Sequence, residues 1–153
     1  MIVGEAPGAK EDSAAAPFVG KSGKLLDRLL EEVGFEVNKD FYICNAFKCR
    51  PPGNRRPTKK ELNHSLPWLY KQIELVDPEI ILLVGATSVE ALLGPQGKIT
   101  NLRGVWHDFH NRLVMPLFHP AYLLRNPSKD TGSPVSLTRS DLIKVRNKLY
   151  ELM

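Results

Sequence analysis

A continuous apolar run near the middle of the chain constrains the fold more than any other feature of this sequence. The segment EIILLVG, residues 79–85, places five large apolar side chains in a row. A run without polar alternation is typical of a central parallel strand that helices cover on both faces. Further strands are predicted at Met1–Val3 and Phe41–Ala46, and GVWHDFHNRLVMPLFHP predicts a hairpin that turns near His110 and Asn111.

Helical periodicity marks the segments between these strands. KSGKLLDRLLEEVG carries its leucines on one helical face, and Gly34 provides a stop signal. In TKKELNHSLPWLYKQIELV, Thr58 and Glu61 have the spacing of a capping box. Pro67 lies in the middle of that segment, so we expect it to kink the helix or to split it in two.

Two further helices complete the pattern. TSVEALLG predicts a short helix with Thr87 as its cap and Gly94 at its end, and the tail from about Thr138 to Met153 is amphipathic. Strands that alternate with helices predict an α/β fold. We therefore expect a single domain over residues 1–153, an αβα sandwich with a central, mostly parallel four-stranded sheet.

The composition excludes several classes of protein. Hydrophobic residues make up 42% of the chain and charged residues 25%, which is ordinary for a soluble globular protein and argues against disorder. No stretch is apolar enough to span a membrane, no signal peptide is visible, and the two cysteines, Cys44 and Cys49, cannot form a disulfide framework. We expect a cytoplasmic protein with no membrane partner, and the net charge of +4 is by itself only mildly basic.

Three unusual loops follow predicted strands, and the carboxyl ends of parallel strands lie along one edge of a sheet. The first loop, GEAPG, holds Glu5 between glycines and a proline that restrict the backbone. Taken alone, Glu5 is interpreted as a solvated acid, and Phe18 of PFVG as a core residue. The alternatives are a carboxylate directed at a ligand and an aromatic platform on which a base stacks.

The second loop, KCRPPGNRRPTKK at residues 48–60, carries six cations and no acid, and its prolines stiffen it. A solvated charged face is one interpretation. We favour a rigid arm that contacts nucleic-acid phosphates, and its candidate DNA-binding residues are Lys48, Arg50, Arg55 and Arg56. Asn45 lies just before the loop and offers both a donor and an acceptor to the edge of a base.

The third loop, HPAYLLRNPS, begins with His119, and a histidine at a strand end is often a satisfied loop residue. Tyr122, Leu123 and Leu124 are apolar enough for the core. In an exposed loop they would instead form a wedge that enters a duplex, with Arg125 on a phosphate. These four residues complete the set of candidate DNA-binding residues.

Together these motifs resemble the uracil-DNA glycosylase superfamily, and most closely its fourth, thermostable iron–sulfur family. The motifs are GEAPGAKED, PFVGKSGKLLDRLL, NAFKCRPPGNRRP, VGATSVEALLG, the RG pair at Arg103–Gly104 and HPAYLLRNPS. Each motif alone is weak, but their order and spacing are specific. The resemblance implies an enzyme that flips uracil out of DNA and hydrolyses the bond to deoxyribose.

The resemblance also implies roles for individual residues. Phe18 stacks on the flipped uracil, Asn45 reads its edge, His119 donates to uracil O2, and Glu5 is the acid of the GE motif. Gly4 and Ala6 complete the uracil-binding set. These roles suit the chemistry, because uracil leaves as an anion and a carboxylate can stabilise the cationic sugar and position water.

The family holds a [4Fe–4S] cluster on four cysteines, and here the sequence departs from the pattern. Cys49 occupies one family position and His64 replaces another, while the other two belong to a segment before the first strand that this chain lacks. A cluster needs a full thiolate set. A zinc site of Cys44, Cys49 and His64 has no tight CxxC-type spacing to support it. We therefore expect no metal and no cofactor.

The sequence predicts a monofunctional uracil-DNA glycosylase that acts as a monomer on uracil-containing DNA and starts base excision repair. The alternative is a catalytically weak or inactive DNA- or uracil-binding module of the same fold, which retention of Glu5, Phe18, Asn45 and His119 argues against. A relative that traps uracil-DNA covalently through a loop histidine would need a histidine in residues 48–60, and that loop has none.

Overall fold

A five-stranded sheet forms the centre of the computed structural model, which describes residues 1–5, 20–48, 53 and 55–153. The strands are β1 (Ile2–Gly4), β2 (Ile43–Asn45), β3 (Ile80–Val84), β4 (His107–Phe109) and β5 (Arg112–Leu117). The helices in the described ranges are α1 (Lys21–Glu32), α2 (Val37–Asp40), α3 (Lys59–Val76), α4 (Ala86–Leu93), α5 (Ile99–Leu102), α6 (Pro120–Arg125) and α7 (Pro134–Leu152). Within this part of the chain, no helix is both long and apolar enough to cross a bilayer.

The strand order is β2-β1-β3-β5-β4, and only β4 runs antiparallel to its neighbour. The predicted αβα class with a mostly parallel sheet is confirmed, but the predicted number of four strands is wrong. The extra strand is β4, the first arm of the predicted hairpin. The turn at His110 and Asn111 is confirmed, and both residues have positive φ angles of 47° and 66°, as a tight two-residue hairpin turn requires.

Strand β3 lies at the centre of the sheet, and all five of its residues are buried. Ile81 and Leu83 join the core on the face covered by α3 and α4, whereas Leu82 and Val84 join the core on the face covered by α1 and α7. The uninterrupted apolar run thus supplies side chains to two separate cores, which explains why it lacks polar alternation.

The long helix α3 has the predicted cap at its start and runs without a break. Its capping box is confirmed, because the Thr58 hydroxyl accepts from the Glu61 N–H at 3.2 Å and the Glu61 carboxylate accepts from the Thr58 N–H at 3.0 Å. Pro67 does not split it. Pro67 and Asn63 are both exposed, so water can satisfy the carbonyl that the proline leaves without its helical partner.

Two other helix boundaries differ from the prediction. Helix α4 is capped by Gly85 and not by Thr87, which lies inside the first turn and is buried, while the predicted end at Gly94 is confirmed. Helix α7 begins at Pro134 and not near Thr138. Ser133 sets this earlier start, because its hydroxyl accepts from the backbone of the first turn.

A buried ion pair joins α7 to the segment that precedes β4. The Asp141 carboxylate is fully buried and accepts two hydrogen bonds from Arg103, at 2.8 Å and 2.6 Å. The neighbouring Gly104 has a positive φ of 74°, and a Cβ at this position would lie 2.5 Å from Asp141 Oδ1. The carboxylate therefore occupies the space that any larger residue at position 104 would need.

We expect Asp141→Ala to lower the free energy of unfolding by about 3 kcal/mol or more, because it leaves the mostly buried Arg103 guanidinium without its partner. Chemical denaturation of both proteins measures the difference. The matched control is Glu74→Ala, which removes an exposed carboxylate 3.8 Å from Lys71 and should change stability by less than about 1 kcal/mol. Equal effects of the two substitutions would contradict a structural role for the buried pair.

Candidate active site

The carboxyl ends of four parallel strands meet at one edge of the sheet. In the order β2-β1-β3-β5, the chain passes from β1 to β2 on one side and later returns to β3 on the other. The crevice between β1 and β3 is therefore a topological switch point, the position at which ligands bind in open α/β sheets. Glu5 follows β1, Gly85 follows β3, and His119 follows β5 after one intervening residue.

The side chains of Glu5 and His119 meet above Gly85. A Cβ built on Gly85 would lie 2.6 Å from Glu5 Oε1 and 3.1 Å from His119 Cδ2. Gly85 also has a positive φ of 91°, which disfavours any residue with a side chain. Glycine at this position lets a carboxylate and an imidazole occupy the same small space at the switch point.

Backbone hydrogen bonds connect the Glu5 loop to the end of β2. Asn45 is the register partner of Gly4, and the next two N–H groups, of Ala46 and Phe47, donate to the carbonyls of Gly4 and Glu5, each at 2.8 Å. Asn45 is half-buried. Three of the residues predicted to bind uracil, Gly4, Asn45 and His119, thus lie along the same sheet edge as the predicted catalytic acid.

His119 has a defined protonation geometry. It caps α6, and its Nδ1 accepts a hydrogen bond from the Ala121 N–H at 3.0 Å. A neutral imidazole that accepts at Nδ1 carries its proton on Nε2. Burial lowers the pKa of His119, the nearby Glu5 carboxylate raises it in part, and Arg125 lowers it further. The arrangement provides a neutral Nε2–H donor at pH 7.

The two arginines of the basic loop that the structure describes form ion pairs. Arg55 makes a two-point contact with Glu61, at 2.7 Å and 3.1 Å, and Arg56 contacts Glu90 at 2.8 Å. The hydrogen bonds from Arg55, assisted by the Thr58 backbone, lower the pKa of Glu61 to about 2. Both arginines are exposed, and exposed ion pairs are weak enough for a phosphate to replace the carboxylate.

Lys48 does not have the position expected of a phosphate contact. Its ammonium donates to the Asn45 carbonyl and to Gln72 Oε1, and the residue is half-buried. The sequence could not distinguish it from its basic neighbours, because charge alone does not reveal which way a lysine points.

The predicted wedge on α6 is also corrected in part. Leu123 is only 1% exposed and belongs to the core, whereas Leu124 is 42% exposed. Tyr122 is half-buried and packs on Phe118, with a ring-centroid distance of 5.0 Å. Leu124 and Arg125 are therefore accessible to a partner, while Leu123 stabilises the helix from below.

Four residues singled out from the sequence lie outside the described residues: Ala6, Phe18, Cys49 and Arg50. Conversely, sequence reasoning gave no role to Gly85, although it lies in the quoted motif VGATSVEALLG. A glycine between the central strand and the following helix was the available signal, since only a close approach or a positive φ makes glycine necessary there.

Cys44, the cysteine within the described residues, does not have the surroundings of a metal ligand. Cys44 is 5% exposed and packs in the core beneath α3 and α4. Burial raises the pKa of its thiol, partly offset by Lys48, which opposes the thiolate form that a metal ligand needs. Among the described residues, no group of three or more His, Cys, Asp or Glu side chains could hold a metal ion.

The surroundings of His119 predict its titration. We expect NMR titration to place its pKa below the ordinary histidine value, with the proton of the neutral form on Nε2. Glu5→Gln should lower this pKa further, because it removes the charge that favours the imidazolium, and Arg125→Gln should raise it. Glu74→Gln, far from the site, serves as the control. A rise in the Glu5→Gln protein would contradict the observed proximity.

Comparison with known proteins identifies the family of this chain. The model of the Uracil DNA glycosylase superfamily matches residues 1–143. The type-4 uracil-DNA glycosylase of Thermotoga maritima is 45% identical over 132 residues, a match that covers 85% of this chain and 68% of that relative.

Type-4 uracil-DNA glycosylases of Sulfurisphaera tokodaii and Saccharolobus solfataricus are 41% and 40% identical, over 84% and 83% of this chain and 62% of each relative. The chain thus spans roughly two thirds of the length of these relatives. The family match covers most of the chain and confirms the resemblance inferred from its motifs. This chain belongs to the uracil-DNA glycosylase superfamily, and its similarity is to the type-4 branch.

Proposed function

We propose that the chain hydrolyses the N-glycosidic bond between uracil and deoxyribose in DNA, after the nucleotide has flipped out of the duplex. The observation that carries this proposal is the meeting of Glu5 and His119 above Gly85, at the switch point of the sheet. A carboxylate and a neutral donor at one position match the two charges that develop when a nucleobase leaves a sugar. The names of the type-4 relatives support the same activity.

His119 acts on the leaving base. Its Nε2–H donates to uracil O2, where negative charge grows as the glycosidic bond breaks. The Ala121 N–H fixes the tautomer through Nδ1, so the donor requires no proton rearrangement before the reaction. A neutral donor also suits the step, because it stabilises the uracil anion by a hydrogen bond and does not transfer a proton to it.

Glu5 acts on the sugar. Its carboxylate stabilises the oxocarbenium-like character that deoxyribose acquires and positions the attacking water. Asn45 supplies a donor and an acceptor to the edge of the base. Its backbone connection to Glu5, through the paired Gly4, fixes the distance between base recognition and the reacting sugar.

DNA is held by the exposed cations around this edge of the sheet. Arg55 and Arg56 exchange their carboxylate partners for phosphates, Arg125 contacts a phosphate beyond the site, and Leu124 enters the space that the flipped nucleotide leaves. Extrusion of the base costs a few kcal/mol, and binding of the base in the site compensates for it.

The proposed chemistry uses no metal or cluster held by these 153 residues. The proposal is supported by the presence of only two cysteines in the chain, one of which is the buried thiol of Cys44. We expect elemental analysis of anaerobically purified protein to find no stoichiometric iron and its spectrum to lack iron–sulfur absorbance. Near-stoichiometric iron would overturn this part of the proposal.

The proposed activity is tested with a labelled uracil-containing oligonucleotide, read for alkali-labile sites. We expect multiple turnover by the unmodified chain. With enzyme in excess, His119→Ala should lower the single-turnover rate by about 10²- to 10³-fold, as expected when one aligned donor is lost, and Glu5→Gln should also slow the reaction. Retention of bound, intact DNA without cleavage would instead identify a binding module.

The contact above Gly85 is tested by a pair of glycine substitutions. Gly85→Ala places a methyl group 2.6 Å from the Glu5 carboxylate, so we expect a single-turnover rate about 10²-fold lower, because misplacement by about 1 Å has this effect. Gly94→Ala is the matched control, since Gly94 ends the same helix with a positive φ of 77° and has nothing within 4 Å of its would-be Cβ. Equal losses in the two variants would assign the effect to backbone strain alone.

The role of the paired arginines is tested by salt-dependent DNA binding. The double variant Arg55→Ala, Arg56→Ala should weaken binding to uracil-containing and uracil-free DNA about equally, and should reduce the slope of log K against log salt by about one to two units. A complementary variant, Glu90→Gln, removes the carboxylate that pairs with Arg56. It should therefore tighten binding to both DNAs. Loss of affinity for uracil-DNA alone would show that these arginines read the base and not the backbone.

A further inference from the structure

Lys48 is a cation of the basic loop that points into the protein. Its ammonium donates to the Asn45 carbonyl, three residues earlier, and to Oε1 of Gln72 on α3. The Nε2 of Gln72 donates in turn to the hydroxyl of Tyr42 at 3.2 Å. Both ends of the Gln72 amide are therefore engaged, which fixes its orientation and leaves Oε1 directed at Lys48.

This network spans β2 from one end to the other. Tyr42 precedes the strand, and its carbonyl accepts from the Ile2 N–H at 2.8 Å, whereas Asn45 is the last residue of the strand. The turn from Asn45 to Lys48 also carries the two N–H groups that donate to Gly4 and Glu5. A displacement of this turn would therefore move Asn45 and the Glu5 backbone together.

A charged donor is suited to holding such a turn. Hydrogen bonds from an ammonium are about twice as strong as those between neutral groups, and both hydrogen bonds of Lys48 are partly buried. Burial lowers the pKa of Lys48, as expected for an ammonium directed away from solvent. Removal of the charge would leave the Asn45 carbonyl and the Gln72 amide oxygen without this donor.

We propose that Lys48 is a positioning residue, which holds the turn that carries Asn45 from the protein side and does not contact DNA. This inference rests on the proposed function, in which Asn45 recognises the flipped base. It assigns different tasks to neighbouring cations of one loop, since Arg55 and Arg56 face solvent and Lys48 faces the network of Gln72 and Tyr42.

The test compares Lys48→Met, which keeps the length of the side chain, with Lys71→Met, which removes an exposed lysine next to Gln72. We expect Lys48→Met to lower the single-turnover rate on uracil-DNA by about 10- to 10²-fold. The affinity for uracil-free DNA and the slope of its salt dependence should match those of Lys71→Met. A slope that falls by about one unit in Lys48→Met alone would identify a phosphate contact and overturn the proposal.

A second variant removes the partner and keeps the charge. Gln72→Met should also slow cleavage, although Gln72 carries no charge with which to bind a phosphate, and Tyr42→Phe should give a smaller loss. If Lys48→Met fails to fold, Gln72→Met still decides between the two roles. A Gln72→Met protein with an unchanged rate would overturn the proposal.

Hydrogen exchange separates this inference from the proposed activity. The amides of Ala46 and Phe47 should exchange faster in Lys48→Met and Gln72→Met than in the unmodified chain, while amides in β3 should not change. If the unmodified chain does not cleave uracil-DNA, the proposed function fails, but this measurement still decides whether Lys48 holds the turn. Unchanged exchange at both amides would overturn the positioning role.

Discussion

The pairing of β3 with β1 on one side and β5 on the other is the interaction on which the rest of the structure depends. Val3 lies beside Leu83, and Val84 lies beside Leu117, so three strands end at nearly the same height. Because the side chains of β3 supply both cores, the strand cannot shift without disturbing helices on both faces of the sheet. Its burial therefore determines where the residues beyond its end are placed.

Because these strands end at nearly the same height, the side chains of Glu5 and His119 come close together. In the bulk solvent, a carboxylate beside a histidine would favour the charged imidazolium. Here burial has the larger effect, and the pKa of His119 falls in spite of Glu5. The site therefore keeps one anion and one neutral donor at short range, and the Ala121 N–H determines which nitrogen of the ring can donate. The sheet brings Glu5 close to His119, and the hydrogen bond at the start of α6 selects the tautomer of the His119 imidazole.

Local and spatial features differed in how well the sequence predicted them. The capping box of Thr58 and Glu61 was predictable because it needs only residues three positions apart. The distinction between Leu123 and Leu124 was not, since three consecutive apolar residues in a six-residue helix do not define which face is buried. Strand β4 was predicted as the first arm of the hairpin but was not counted among the four strands of the sheet, and its three residues, with the exposed Asp108, show little apolar pattern.

The candidate site shows the same division. The position of Glu5, Asn45 and His119 at one edge of the sheet could be predicted from the sequence, because parallel strands align their carboxyl ends. It could not reveal the inward direction of Lys48, which depends on Gln72, 24 residues away. The role of Gly85 could not be predicted either, because it depends on the side chains of Glu5 and His119, which follow other strands. Long-range packing, and not composition, decides such cases.

The double use of Glu61 has a consequence for how this surface meets other molecules. Glu61 both caps α3 and neutralises Arg55, and Glu90 neutralises Arg56 in the same way. Two of the loop's cations are thereby masked at long range, so the loop attracts passing polyanions less than its sequence suggests. In the proposed DNA complex, Arg55 turns to a phosphate while Glu61 retains its bond to the Thr58 backbone, so the helix keeps its cap. The charge of the two arginines is thus available only to an anion that is already close enough to displace a carboxylate. This favours short-lived encounters with polyanions over long-lived, non-specific binding.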